Sequence, residues 1–206
     1  MLKPYQNYPD GMDALYGLIR KAKRDVVFIS TDGELLQSWT GGGIYDSLMA
    51  SYGNWQSAPS RYKRAVMKYA LMPVLGTVVG RYRAALMTSP DLIKRHEKRL
   101  SELANALPLE VFSVNEDVNP TLVFFDSPGV RVPSMALSEM ISGVHGWWGT
   151  QYSSVWMGKR DENSAMLLED NTKTGMFYRD CMRNFETVDP VSFSNGVAEI
   201  RHSAYV

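Results

Sequence analysis

Cysteine is nearly absent from this chain of 206 residues, and neither sign of charge is in excess. The single cysteine, Cys181, excludes an intrachain disulfide and a zinc site built on cysteines. The 22 basic and 22 acidic residues leave no formal net charge, which excludes a protein that is basic over its whole surface. A local basic surface is still allowed. We expect neither a metal site nor a cofactor.

Long hydrophobic runs are also missing. The longest apolar stretch covers residues 69–79 and is interrupted by Pro73 and Gly76. A helix that spans a membrane needs about 20 apolar residues, so this stretch is too short. The first ten residues are polar and aromatic, without an apolar signal segment. These features favour a cytoplasmic protein over one that binds a membrane.

Helical patterns alternate with short apolar runs along the chain, and hydrophobic residues make up 45% of it, which is enough for a core. This alternation predicts an α/β fold, with residues 1–206 forming a single domain. The last 20 or so residues are weakly patterned. The predicted helices cover residues 11–24, 44–52, 61–72, 90–107 and 173–186, with a loop at 54–60 and a turn at Asp32-Gly33. The predicted strands cover residues 25–31, 81–87, 109–114, 122–125, 130–133 and 165–168.

One segment has a recognisable spacing. Residues 118–126 read Val-Asn-Pro-Thr-Leu-Val-Phe-Phe-Asp, which is typical of a turn, a buried strand and a second turn. Asn119, Thr121 and Asp126 stand where the phospholipase D-like superfamily has histidine, lysine and aspartate, separated by one residue and then four. Residues 15–30, 107–129 and 167–185 resemble the opening, the central strands and the closing helix of that superfamily, in the same order.

The resemblance to the phospholipase D-like superfamily implies a layered domain, in which helices flank a central mixed sheet. Residues 47–80 have no place in the minimal pattern, so we predict that they form a helical insertion. Active members place two copies around one site, which implies a homodimer for a chain with one copy.

In active members the histidine attacks phosphorus and the lysine stabilises the phosphoryl oxygens, which is nucleophilic catalysis with electrostatic support. An asparagine amide is not a nucleophile, and Thr121 carries no charge. The resemblance therefore implies a catalytically degenerate scaffold, with Asn119 and Thr121 still able to form hydrogen bonds to phosphate. The simpler alternative is that these residues only begin a strand and that Asp126 only begins a turn.

Basic residues are segregated in the middle of the sequence. No acidic residue occurs between Ser47 and Pro90, and tyrosines alternate with the basic residues there. Such a segment suits phosphates and stacked bases of a nucleic acid, whereas the alternative is a solvated helix face paired with acidic residues. The candidate ligand-binding residues are Arg61, Lys63, Arg64, Lys68, Arg81 and Arg83. Four further basic residues follow on the next predicted helix: Lys94, Arg95, Lys98 and Arg99.

A second cluster covers residues 143–149 and combines glycines with His145, Trp147 and Trp148. The two tryptophans could form a ligand wall or a protein interface. His145 is the best-placed residue for acid–base catalysis, with Glu139 or Asp161 as an acidic partner, although a lone histidine among aromatics is more often structural.

Three functions therefore stay open. The first is a catalytically degenerate phospholipase D-like protein that binds a phosphate-bearing partner, with nucleic acid favoured. The second is an interaction or assembly protein that uses the apolar stretch 69–79 and the tryptophans to bind a protein partner. The third is an enzyme of another α/β family centred on His145.

Overall fold

The computed structural model describes residues 1–22, 25–39, 42–57, 82–126 and 152–201. Within these ranges a single mixed sheet of nine strands is flanked by five helices, so the predicted α/β fold with a central mixed sheet is confirmed. No helix among these residues is long and apolar enough to cross a bilayer. The helices are α1 (Tyr8–Lys21), α2 (Gly33–Trp39), α3 (Gly43–Ser57), α4 (Pro90–Ala106) and α5 (Asn171–Asn184). The strands are β1 (Leu2–Pro4), β2 (Asp25–Ile29), β3 (Arg83–Thr88), β4 (Leu109–Val114), β5 (Thr121–Phe125), β6 (Ser154–Lys159), β7 (Ser164–Glu169), β8 (Val188–Ser194) and β9 (Val197–Ile200).

The sheet has the strand order β1-β7-β6-β5-β2-β3-β4-β8-β9. Its centre is parallel, because β3 pairs in parallel with both β2 and β4, and the remaining pairs are antiparallel. Every residue of β2, β3 and β5 is buried. Strands covered on both faces read as continuous apolar runs, which is why these three were visible in the sequence.

The two faces of the sheet are covered by different helices. Helices α1 to α4 pack on the face that carries Phe28, Leu86 and Val123, and we name it the four-helix face. Helix α5 packs on the opposite face through Tyr178, against Phe124 and its neighbours. The α4 helix begins as predicted, since the Ser89 hydroxyl accepts a hydrogen bond from the Leu92 backbone N–H (3.4 Å) and Pro90 is the first helical residue.

The amphipathic pattern of helix α5 predicts that five residues face inward, and four of them do pack against the core: Phe177, Cys181, Met182 and Phe185. The fifth, Met176, is 51% exposed, whereas Thr174 and Tyr178 are fully buried. At about 3.6 residues per turn, Thr174 and Tyr178 lie on one side of the helix and Met176 lies on the other. The hydrophobicity of Met176 was therefore a poor guide to its orientation.

Several elements were wrong or missing in the sequence prediction. Residues 54–57 belong to α3 rather than to a loop, because Trp55 packs against the core and extends the helix. A helix, α2, follows Asp32 where only a turn was predicted, and β1, β6, β8 and β9 were not predicted. Of the proposed insertion, residues 47–57 lie in α3; residues 58–80 lie outside the described residues, as do the predicted helix 61–72 and strand 130–133.

Two glycines of α1 provide a matched test of how closely this helix approaches β7. A methyl group at Gly11 would overlap the Ala165 side chain, whereas nothing lies within 4 Å of one at Gly17. We expect Gly17→Ala to raise the free energy of unfolding by about 0.5–1 kcal/mol, because alanine loses less backbone entropy than glycine in a helix. We expect Gly11→Ala to lower it by about 1–3 kcal/mol through overpacking. Urea denaturation measures both, and equal stabilisation by the two substitutions would contradict the close packing of α1 on β7.

Candidate functional site

The residues of the phospholipase D-like spacing do not meet at one place. Thr121 is the first residue of β5, at the edge of the sheet where the parallel strands β2, β3 and β4 end. Asp126 follows the last residue of β5, at the opposite edge. A strand of this length spans about 17 Å, so Thr121 and Asp126 cannot share a ligand within one chain. Asn119 lies with Thr121, is exposed and precedes a cis peptide bond to Pro120.

Thr121 belongs to a row of buried polar residues that crosses the centre of the sheet. The strand register places Ser30 opposite Thr121 and beside Thr88, then pairs Thr88 with Ser113 and Ser113 with Asp189. None of the five is more than 5% exposed. Because side chains alternate along a strand, all five lie on the four-helix face, one step beyond the apolar positions Val123, Phe28 and Leu86. We name these five residues the polar row.

Hydrogen bonds connect this end of β2 to the loop before β5. The Ser30 and Thr121 hydroxyl oxygens are 2.7 Å apart, and the Asp32 backbone N–H donates to Ser30 Oγ (3.1 Å). The Thr31 hydroxyl donates to Asp117 Oδ1 (2.5 Å) and accepts from the Val118 N–H (3.0 Å). The position at which the phospholipase D-like spacing would have lysine is thus filled by a hydroxyl that is already paired inside the protein.

Acidic side chains dominate the loops at this edge. Asp32, Glu116 and Asp117 lie beside the motif position. The cations of the neighbouring β6–β7 turn are paired with carboxylates, Lys159 with Glu162 (2.6 Å) and Arg160 with Glu34. Negative charge of this kind disfavours a bound phosphate.

The described loops at the edge of the sheet next to the polar row contain no histidine and no cysteine. They cover residues 30–32, 88–89, 115–120 and 160–163. Across the described ranges no cluster of histidine, cysteine, aspartate and glutamate could hold a metal ion. The groups that these described loops offer are therefore hydroxyls, three asparagine amides, carboxylates and the paired guanidinium of Arg160, which can form hydrogen bonds but provide no activated nucleophile.

Arg83, one of the predicted ligand-binding residues, lies at the opposite edge. Its side chain is only 9% exposed, and its Nε donates to Glu110 Oε2 at 2.8 Å. Burial by itself lowers the pKa of Arg83, but the nearby Tyr152, Glu110 and Asp25 outweigh it, so the pKa is raised and the residue stays charged. This geometry fits the alternative of a structural ion pair that the sequence left open.

Apart from Arg83 and the three positions of the phospholipase D-like spacing, Asp161 is the one predicted site residue that the structure describes. It lies in an exposed turn, where its carboxylate accepts a hydrogen bond from the Glu162 N–H at 3.1 Å. The remaining predicted residues lie outside the described ranges: Arg61, Lys63, Arg64, Lys68, Arg81, Glu139, His145, Trp147 and Trp148.

Helix α4 exposes a group of basic residues as a result of its own packing. Its inner side buries Leu92, Ile93, Leu100 and Leu103. Glu97 turns towards β9, where its Oε2 accepts a hydrogen bond from the Ala198 N–H at 3.2 Å. The outer side exposes four basic residues, which we name the α4 basic face: Lys94, Arg95, Lys98 and Arg99.

The α4 basic face carries a net positive charge, because its four cations outnumber the exposed Asp91 and Glu102 on the same side of the helix. Lys94 and Lys98 are like charges four residues apart, as are Arg95 and Arg99, whereas Asp91–Arg95 and Lys98–Glu102 are opposite charges at that spacing. Among the described residues, no carboxylate forms an ion pair with Lys94, Arg95 or Lys98. The pKa of His96 is lowered by its partial burial and then by Arg95 and Arg99.

The sequence named these four residues but did not select them as a site. A helical wheel places Glu97 beside the four basic residues and Asp91 and Glu102 among them. The signal for the cluster is therefore an excess of basic over acidic residues on one side of the helix, which the order of residues along the sequence does not show.

No protein-family model matches this chain, and no curated protein matches it. A solved structure of TrmBL2, described as an archaeal chromatin protein with a novel mode of DNA binding, is similar with a TM-score of 0.47 and 8% sequence identity. The similarity covers 90% of this chain and 53% of that one, so this chain spans about half the length of TrmBL2. At these values the similarity assigns neither a family nor a function.

Two threonines of the polar row allow the hydroxyl of Thr121 to be tested against a matched control. Thr121 Oγ1 is hydrogen-bonded, whereas Thr88 Oγ1 is fully buried and has no hydrogen-bond partner among the described residues. We expect Thr121→Val to lower the free energy of unfolding by about 1–2 kcal/mol, because Ser30 loses its partner. We expect Thr88→Val to be neutral or stabilising, because it removes an unpaired buried hydroxyl. Urea denaturation measures both changes in the free energy of unfolding, provided that the variants have the same m-value. Equal losses of stability would show that the Thr88 hydroxyl has a hydrogen-bond partner of its own.

Proposed function

We propose that this protein is a catalytically degenerate phospholipase D-like protein that binds nucleic acid through the phosphate backbone, with α4 as a binding surface. The observation that carries the proposal is the α4 basic face, four exposed cations on one side of one helix in a protein without net charge. Basic side chains that neutralise phosphates release counterions, which supplies most of the affinity of sequence-independent binding.

The rigidity of α4 supports this role. The helix is capped by Ser89 at its start and fixed to the sheet by four buried aliphatic residues on its inner side. Its backbone is therefore ordered before a partner arrives, so the conformational ordering that binding requires at this helix is confined to side chains.

The proposed loss of catalytic activity depends on Asn119 and Thr121. An amide at the nucleophile position cannot form the covalent phosphoryl intermediate, and Thr121 is paired with Ser30 inside the protein. The acidic loops around it are a poor environment for phosphate, so we assign nucleic acid to α4 rather than to the motif edge. The homodimer implied by the resemblance would present two copies of the α4 basic face.

We expect no hydrolysis of a bis-aryl phosphate diester without added metal, because the family's nucleophile is absent. The measurement is the release of the aryl alcohol at neutral pH, compared with buffer alone. Hydrolysis that persists in His145→Ala would show another nucleophile and contradict the degenerate scaffold. Hydrolysis that disappears in His145→Ala would instead favour an enzyme centred on that histidine.

Binding to duplex DNA should weaken steeply with salt, and the slope should depend on α4. The double variant Arg95→Gln with Lys98→Gln should flatten the plot of log affinity against log salt by about 0.9 per lost phosphate contact, or roughly two units. Fluorescence anisotropy over a range of salt concentrations measures this slope.

Helix α5 offers a control with the same change in net charge. Lys173 and Arg183 are exposed on the opposite face of the sheet. Lys173→Gln with Arg183→Gln should leave the salt slope unchanged. Equal flattening by both pairs would mean that only total charge matters, and no detectable binding of the unmodified protein at about 50 mM salt would refute nucleic-acid binding.

A further inference from the structure

The outer side of α4 indicates which form of nucleic acid it fits. We propose that the α4 basic face binds double-stranded nucleic acid through phosphates alone, without stacking on bases and without reading their sequence. This inference rests on the proposed function and adds the class of nucleic acid to it.

The first argument is the absence of a stacking surface. Proteins that bind single strands combine basic grooves with aromatic side chains on which bases stack. The exposed residues of α4 are six charged residues, Asn105 and Ala106, and His96 is half-buried. None of the aromatic side chains in the described part of the chain is exposed. The α4 surface therefore offers charge to the backbone but no platform for unstacked bases.

The second argument is the position of α4. Its inner side is buried, and it contacts α2, β4 and β9. The floor of the major groove lies about 8.5 Å deep, and a helix that reads bases there must project from its protein. Because α4 lies against the sheet with neighbours beside it, its lysines and arginines meet phosphates before its backbone reaches the groove. Sequence-independent binding follows from this geometry.

The third argument is charge density. Lys94 and Lys98 are separated by one helical turn, as are Arg95 and Arg99, so four cations lie within about 8 Å along the helix axis. A duplex carries one phosphate charge per ~1.7 Å of its axis, twice the density of one strand with the same rise. A compact cluster of cations gains more from the denser array of phosphates.

The experiment compares three probes by fluorescence anisotropy at about 50 mM salt: a duplex of about 20 base pairs, each of its separated strands, and a duplex of scrambled sequence. We expect the duplex to bind at least ~10-fold more tightly than either strand, and the two duplexes to agree within ~3-fold. The Arg95→Gln, Lys98→Gln variant should lose duplex affinity, and the Lys173→Gln, Arg183→Gln variant should keep it.

The outcomes separate the two proposals. Tighter binding of a single strand would overturn the duplex inference while leaving nucleic-acid binding intact. A preference of ~10-fold or more for one duplex would show base reading and overturn the phosphate-only mode. Unchanged duplex affinity in the α4 variant would move the binding surface elsewhere and overturn the inference. Failure of all probes to bind would refute the proposed function itself.

Discussion

The burial of β2 on both faces is the constraint on which the other elements depend. A strand that carries Val26 and Phe28 towards one layer and Val27 and Ile29 towards the other must be covered by helices on each side. Because β3 pairs in parallel with β2, and β4 with β3, each connection must cross over the sheet, and these crossovers place α2, α3 and α4 on the same face. The exposed side of α4, and with it the proposed binding surface, is a result of that topology.

The polar row marks the boundary of the apolar core at one end of the strands. Along β2, β3 and β5 the inward positions are apolar until the last step before the edge, where serine and threonine replace them. The Ser30–Thr121 pair satisfies two hydroxyls at once, and the neighbouring Thr31 fixes the loop that leads into β5. A lysine at the same position would carry a charge into this buried row and would need an opening to solvent or a bound anion. A threonine at position 121 is therefore consistent with the packing around it.

The sequence predicted the central strands and the two capped or strongly periodic helices α1 and α4, because their signals are local. Continuous apolar residues mark β2, β3 and β5, and Ser89-Pro90 marks the start of α4. It did not predict β1, β6, β8 and β9. β1 and β9 are poorly buried, and β1 and β8 are ordered by pairing with the distant strands β7 and β4. For the site, it identified the spacing of Asn119, Thr121 and Asp126. It could not indicate that Thr121 and Asp126 lie at opposite edges, because that depends on the length and direction of β5.

The short outer strands also determine how copies of this domain can meet. β1 has three residues and includes Lys3 and Pro4, and β9 has four residues and includes the exposed Glu199. Proline lacks the N–H that a further strand would require, and charged side chains on short outer strands oppose edge-to-edge pairing. Both ends of the sheet are therefore poor templates for adding another strand, which protects a wide, largely apolar sheet from growing into a fibre.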